Sequence, residues 1–169
     1  NMSTSNTLEM LREQSNVGER VFFSSLWEGL IGRDWLGQLG PVPGLATSWR
    51  RLSDSVVELS LRPGVKFHNG DELTAEDVVF SFDRAMADTS TNAQKQLFDG
   101  INEVTAIDDV TVEIGLDQPK GSLLTNLAWG DAVIVSPATA DTNATNPVGT
   151  GPFKFSRWVQ GDHVELVKN

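Results

Sequence analysis

Imidazole and carboxylate groups lie close together at His68, Asp71 and Glu72, and side chains of these types bind metal ions. Between them stands Asn69-Gly70, a strong signal for a tight turn. The side chains would diverge around such a hairpin, and no further strong ligand follows at a suitable spacing. We therefore interpret this stretch as an exposed turn and predict no metal site.

The adjacent acids Asp108-Asp109 resemble the carboxylate pair of a general acid–base site. Side chains of neighbouring residues in a turn point apart, and Asp is a common turn former. The pair therefore indicates a turn between two strands rather than a catalytic centre.

A glycine-rich stretch, Gly149-Thr150-Gly151-Pro152, has some likeness to a phosphate-binding loop. It lacks the Walker lysine and the G-x-G-x-x-G spacing, and Pro152 removes a backbone donor. We interpret this stretch as a turn.

Nucleophilic catalysis finds no support elsewhere in the sequence. The chain has no Cys, which excludes thiol nucleophiles, iron–sulfur clusters, zinc fingers and disulfides. It has no G-x-S-x-G motif, and its two histidines, His68 and His163, lie beside predicted turns or strand starts. A Ser–His system stays open without support, so we predict no catalytic residue, no cofactor and no enzyme.

Aromatic side chains beside polar loop residues are common in ligand clefts, and two places in the chain fit that description. Trp27 and Glu28 stand near the end of a predicted helix, and Trp129 and Asp131 stand in the loop 128–131. We take these four residues as candidate ligand-binding residues. The competing interpretation places them in the core or at its rim.

The spacing of apolar residues predicts the elements that must position these side chains. We expect helices over 16–30, 74–87 and 121–128, the second of which begins with the capping-box-like Thr74-Ala75-Glu76-Asp77. We expect strands over 56–62, 65–67, 101–107, 110–116 and 132–135, and a hairpin over 153–167. The remaining segments are predicted as a loop-rich stretch with short strands at most over 31–55, a loop over 88–100 and a linker over 143–152.

These elements predict an α+β fold with a mostly antiparallel sheet and packed helices. Trp49 and Trp158 are expected to anchor the core. A core for residues 41–147 is expected from Val57, Leu59, Leu61, Phe67, Val78, Val79, Phe82, Val104, Ile107, Val112 and Ile114.

Composition limits the partners. The 169 residues carry a net charge of −10, and phosphate binding needs clustered Lys and Arg, so nucleic acid and anionic membrane surfaces are disfavoured. No stretch reaches the roughly 20 apolar residues of a membrane-spanning helix. The polar start of the sequence indicates no signal peptide.

Three segments carry a resemblance to a known family. They read LWEGL over 26–30 with PGLATSW over 43–49, LRPGVKFHNGDELTAEDVVFS over 61–81, and NPVGTGPFKF over 146–155. In order and spacing they resemble the family 5 extracellular solute-binding proteins, the dipeptide-, oligopeptide- and nickel-binding class. The departures are Trp27 and Phe153 where the family has Tyr, and Asn69 where it has Asp.

The resemblance implies part of lobe I of a type II clamshell, about three times the length of this chain, that closes on a solute. It implies that 1–40 and 148–169 are a discontinuous part of the large N-terminal lobe and that 41–147 is an accessory subdomain. It therefore implies a fragment. Its ligand-facing residues map onto Trp27 and Glu28, and onto the loops 88–98 and 128–131.

The resemblance also implies a function. The chain would belong to the solute-binding subunit of an ABC importer. That subunit would be periplasmic or extracellular, either free or anchored as a lipoprotein, and monomeric at full length. It would deliver a peptide, nickel chelate, opine or oligosaccharide to a membrane permease. A sensory or chaperone-like relative on the same scaffold is the alternative, and a small hydrolase is a remote one.

Overall fold

The computed structural model describes residues 22, 24–34, 36–92, 94–160 and 162–169. In chain order the elements are β1 (Ile31–Arg33), β2 (Pro41–Pro43), β3 (Ala46–Ser53), β4 (Val56–Leu61), α1 (Ala75–Met86), β5 (Ile101–Asp108), β6 (Thr111–Leu116), α2 (Leu123–Leu127), β7 (Phe153–Val159) and β8 (His163–Lys168). Short 3-10 turns lie at Lys95–Phe98 and Ala140–Thr142. The fold is α+β, with only antiparallel pairs in its named strands.

The largest sheet has four antiparallel strands in the order β3-β4-β6-β5. On β4, Val57, Leu59 and Leu61 are buried and alternate with half-buried residues, as the sequence period predicts. The neighbouring β6 alternates in the same way and aligns Val112 with Leu59. This sheet therefore presents one apolar face to the core.

Helix α1 covers the apolar face of this sheet. It begins after Thr74, whose backbone N–H donates to a carboxylate oxygen of Asp77 at 2.8 Å, so the predicted capping box is confirmed. Val78 and Phe82 are buried, and the ring of Phe82 meets that of Phe98 edge-on, with centroids 5.4 Å apart.

A second, smaller apolar cluster lies beside this core. Its buried members are Phe22, Leu26, Trp27, Val133 and Val135. The two-stranded sheet β7–β8 packs on it through one face, which carries Phe155, Trp158, Val164 and Leu166. Phe153, Val159 and Val167 of the same sheet are exposed. Leu30 and Ile31 belong to the larger cluster, and the domain boundaries at 40/41 and 147/148 stay a prediction.

Strands β3 and β5 are the outer strands of the four-stranded sheet in the described part of the chain. The register of β3 shifts twice, once before Ser48 and once after Arg51. The guanidinium of Arg50 pairs with the carboxylate of Glu58 on β4 at 2.6 Å, and this exposed ion pair raises the pKa of Arg50 and lowers that of Glu58.

Several predicted elements differ from the structure. The helix expected over 16–30 ends at residue 26, because Gly29 forms a β-bridge with Val133; its part before residue 22 lies outside the described residues. The stretch 31–55 holds an eight-residue strand, β3, which the prediction of short strands missed. Of β3, only Ala46 is buried, so the strand is held by pairing with β4 and lacks an apolar pattern.

Three further expectations were wrong. Residues 65–67 form no strand, only a single bridge between Lys66 and Glu72. Residues 132–135 are buried as expected, but only Val133 makes a bridge. Ile107 is 52% exposed, because it stands three residues after the buried Val104 on β5 and therefore faces the other side of the sheet.

Among the described residues, no helix has the length and apolar character needed to cross a membrane.

Candidate functional site

Two segments distant in sequence run side by side and carry most of the candidate residues. Gly29 pairs with Val133 as an antiparallel bridge, and the Glu28 carbonyl accepts the backbone N–H of Ile134 at 3.1 Å. A Cβ atom on Gly29 would lie 2.9 Å from the Ala132 carbonyl oxygen, so glycine permits this close approach. The bridge brings the segment that follows Trp27 against the loop that follows Trp129.

We call the place where these two segments meet the junction. Arg33 and Trp129 contact each other there. The guanidinium carbon of Arg33 lies 4.7 Å from the centroid of the Trp129 ring, within the range of a cation–π interaction. The Arg33 Nε donates to the Leu39 carbonyl at 3.3 Å, which holds the side chain along the β1–β2 loop. Both Arg33 and Trp129 are half-buried.

Arg33 is the functional candidate that the sequence did not reveal. Its local sequence, Gly-Arg-Asp at the end of a short strand, carries no ligand motif. The contact with Trp129 depends on the Gly29–Val133 bridge, which is a tertiary feature.

Trp27 lies beneath the junction, in the smaller apolar cluster. It is 3% exposed, and its indole Nε1 donates to the Val148 carbonyl at 2.9 Å. Glu28, next in the chain, is half-buried. The structure therefore puts Trp27 inside the smaller cluster and Glu28 at its edge.

Asp131 is 1% exposed, although it stands in the loop between α2 and the buried segment 132–135. Its carbonyl accepts the side-chain amide of Asn92 at 3.2 Å, which ties the loop to the segment after α1. Of the four predicted residues, Glu28 and Trp129 are thus half-buried, and Trp27 and Asp131 are buried.

Residues 148–151 lie against the segment 25–27, and we call them the 148–151 wall. The Gly151 N–H donates to the Leu26 carbonyl at 2.8 Å. A Cβ atom on Gly149 would lie 2.1 Å from the Leu26 carbonyl oxygen, and one on Gly151 would lie 2.4 Å from that of Ser25. Because glycine has no side chain, the backbone of 149–151 can contact the backbone of 25–26 directly. This contact accounts for the glycines, and no phosphate-binding role is needed to explain them.

His68 reaches the same wall from the turn after β4. Its Nδ1 accepts the Gly149 N–H at 3.2 Å, and its Nε2 lies 3.0 Å from the Gly151 carbonyl oxygen. His68 is half-buried rather than fully exposed as the turn interpretation implied. Burial lowers the pKa of His68, and the positive charge of Lys154 acts in the same direction, while the hydrogen bond to Gly151 and the charge of Glu28 oppose them.

Few reactive groups meet at this junction. The described residues hold no cluster of three or more metal-ligating side chains. Both histidines have hydrogen-bond partners, His68 in the backbone of 149–151 and His163 in the carboxylate of Asp162. The half-buried pair of Arg33 and Trp129 offers a cation and an aromatic face at one place, and such groups line many ligand sites.

Comparison with known proteins relates this chain to one family. The family model described as bacterial extracellular solute-binding proteins, family 5 middle, matches residues 40–169. The glutathione-binding protein GsiB of Pectobacterium atrosepticum is 35% identical over 98% of this chain and 33% of its own length. The Escherichia coli K12 protein of the same name is 33% identical over 85% of this chain and 29% of its own length.

Solved structures agree with this. The binding protein AgaA in complex with agropinic acid is 29% identical and superposes with a TM-score of 0.85 over 98% of this chain and 34% of its own. The Helicobacter pylori protein DppA in complex with the peptide STSA is 28% identical, with a TM-score of 0.82 over 96% of this chain and 37% of its own. This chain therefore spans about a third of the length of the relatives it matches.

Proposed function

Because this chain belongs to the bacterial extracellular solute-binding proteins of family 5, we propose that it is part of the receptor subunit of an ABC importer. The receptor captures a small solute and delivers it to a membrane permease. The observation that carries the proposal is the family match over 40–169, joined to superposition on binding proteins that hold a small ligand.

The proposed solute is a short peptide or a peptide-like molecule of the glutathione class. Two lines support this class: the curated relatives from Pectobacterium atrosepticum and Escherichia coli are glutathione-binding proteins, and one of the solved structures holds a tetrapeptide. Such solutes carry both charges along with apolar atoms. A nickel chelate or an opine is the competing cargo, since one relative of known structure holds agropinic acid.

The roles of individual residues follow from their burial. Glu28, Arg33 and Trp129 are half-buried, and we assign them to solute contact. Glu28 pairs with an ammonium group of the solute, Arg33 with a carboxylate, and Trp129 offers its flat ring to apolar atoms. Trp27 and Asp131 are buried, so we assign them to support of the site from behind.

The proposed domain arrangement has 1–40 and 148–169 as parts of a large lobe and 41–147 as its accessory subdomain. The contact of Leu26 and Trp27 with β7 and β8 in the smaller cluster supports the pairing of the two outer segments, and Val133 and Val135 join the accessory subdomain to the same cluster. The proposed location is the periplasm or the outer face of the cell, and the proposed full-length protein is a monomer without catalytic activity. Extracellular binding proteins among the relatives support this placement.

Calorimetric titration of the full-length protein carrying this chain tests the proposal. The panel is glutathione, the peptide Ser-Thr-Ser-Ala, agropinic acid and nickel with L-histidine, and turnover of each solute is followed in parallel. Tight binding of glutathione or the peptide, with the solute recovered unchanged, is expected. Chemical conversion of a bound solute would contradict the receptor function, and preference for nickel with histidine would contradict the peptide class.

A further inference from the structure

His68 makes an unusual set of contacts for a residue of a surface turn. Its backbone N–H donates to the Gly149 carbonyl at 2.8 Å. Its imidazole bonds the same short segment twice more, through Nδ1 to Gly149 and through Nε2 to Gly151. We call these three hydrogen bonds the His68 contacts.

The partners fix the protonation state of the ring. A backbone N–H can only donate, so Nδ1 must accept from Gly149 and carries no proton. A carbonyl oxygen can only accept, so Nε2 must carry the proton that it donates to Gly151. The contacts therefore require the neutral imidazole in its Nε2–H form.

Protonation of the ring would break this arrangement. It would add a proton to Nδ1 and set two donors against each other across the 3.2 Å to the Gly149 nitrogen. Gly149 is buried, so its N–H would lose a partner that water does not readily replace. The charged groups that act on the ring are Lys154, on β7, which opposes protonation, and Glu28, which favours it.

The segment held by His68 is in turn the wall that supports the candidate site. Gly151 donates to the Leu26 carbonyl at 2.8 Å, and Trp27 donates to the Val148 carbonyl at 2.9 Å. Glu28 follows directly in the chain. A continuous set of hydrogen bonds thus runs from the His68 ring through 148–151 to the residues that precede Glu28.

We propose that His68 is a positioning residue, which holds Trp27 and Glu28 in place through residues 148–151 only while its imidazole is neutral. Acidification to the point where His68 is protonated loosens this wall and weakens solute binding. The part of the inference that concerns solute rests on the proposed function. The part that concerns the wall does not.

The first experiment is free of solute. Amide hydrogen exchange at Gly149 and Gly151, and at the indole N–H of Trp27, is followed by NMR from about pH 8 to about pH 5 in the full-length protein, after correction for intrinsic exchange rates. The nitrogen shifts of the His68 ring report its tautomer and its titration in the same samples. Protection is expected to fall about tenfold as His68 becomes charged.

Substitutions of His68 separate the hydrogen bond at Nδ1 from the one at Nε2. His68→Asn keeps an acceptor near Nδ1, His68→Gln keeps a donor near Nε2, and neither can be protonated in this range. Both are expected to show protection at 148–151 that no longer changes with pH across the His68 titration. His163→Gln is the matched control, because His163 is the second of two histidines, is exposed, and bonds Asp162; it should behave like the parent protein.

Solute titration is the second experiment, using glutathione and Ser-Thr-Ser-Ala. The parent protein and His163→Gln are expected to lose about tenfold in affinity over the pH range in which His68 titrates, and the two His68 variants are expected to lose much less. A ring in the Nδ1–H form, or protection that is the same for charged and neutral His68, would overturn the inference. Absence of binding at every pH would contradict the proposed function alone, because the exchange measurements stand without solute.

Discussion

The indole Nε1 of Trp27 donates to the carbonyl oxygen of Val148 at 2.9 Å, although the two residues are 121 positions apart. Trp27 is 3% exposed and belongs to the smaller apolar cluster. The bond thus joins two distant parts of the chain inside a dry contact, where an unpaired carbonyl is costly.

Trp27→Phe removes this donor and keeps most of the ring. We expect it to lower the free energy of unfolding by about 1–3 kcal/mol, and Trp27→Ala, which also leaves a cavity, by about 3–5 kcal/mol. Urea denaturation measures both values. Val159→Ala, on the exposed face of β7, is the control and should change stability little. A Trp27→Phe value equal to that control would show that the bond is unimportant.

Gly149→Ala and Gly151→Ala put a methyl group against backbone oxygens at 2.1 and 2.4 Å. Backbone cannot move aside as a flexible side chain can, so we expect each to cost about 2 kcal/mol or more and to shift the NMR signals of 25–27. Gly121→Ala is the matched control, because nothing lies within 4 Å of its Cβ position. A cost no larger than that of Gly121→Ala would mean that residues 148–151 do not contact the segment 25–27.

Stability should depend on pH through His68. Its pKa is lowered in the folded protein, chiefly by burial, from the ordinary value of 6.5. The unfolded chain then binds more protons near pH 6, so stability is full above 6.5 and falls as the pH drops through the folded pKa. Denaturation curves at several pH values, compared with His68→Gln, isolate this contribution. A difference between the two proteins that stays constant with pH would contradict it.

Solute affinity should depend on Arg33 and Trp129. Trp129→Ala removes the aromatic face and leaves Arg33 without its stacking partner, and Arg33→Gln removes the charge. We expect each to weaken binding of glutathione about tenfold or more, measured by calorimetry. Arg50→Gln is the control, since Arg50 lies on outer strand β3 in an exposed pair with Glu58. Equal affinity in all of these variants would remove the junction from the solute site.

The sequence predicts an element well where burial imposes a period. Segment 56–61 and helix 75–86 followed their apolar spacing, and Thr74 and Asp77 marked the start of the helix. β3 could not be predicted in this way, because its side chains are mostly exposed and backbone pairing with β4 holds it. Ile107 was wrongly expected in the core, although alternation from the buried Val104 turns it to the exposed side of β5.

The residues of the candidate site also separate into those that local sequence indicates and those that only tertiary structure reveals. Glu28 and Trp129 could be chosen because aromatic and acidic residues beside loops are typical of clefts. The contacts of Arg33 and His68 could not be predicted from the sequence. Their partners are Trp129 for Arg33 and residues 149–151 for His68, and tertiary packing brings these partners near. The sequence indicates a loop-rich stretch around Arg33 and a turn around His68, and nothing more.

The two register shifts of β3 change what this outer strand offers to another strand. An outer strand with a straight row of unpaired backbone groups is a template for sheet extension between molecules. Here the two shifts interrupt that row of backbone groups. The irregular register that no apolar pattern announces thus makes this edge of the described sheet a poor template for pairing with another strand.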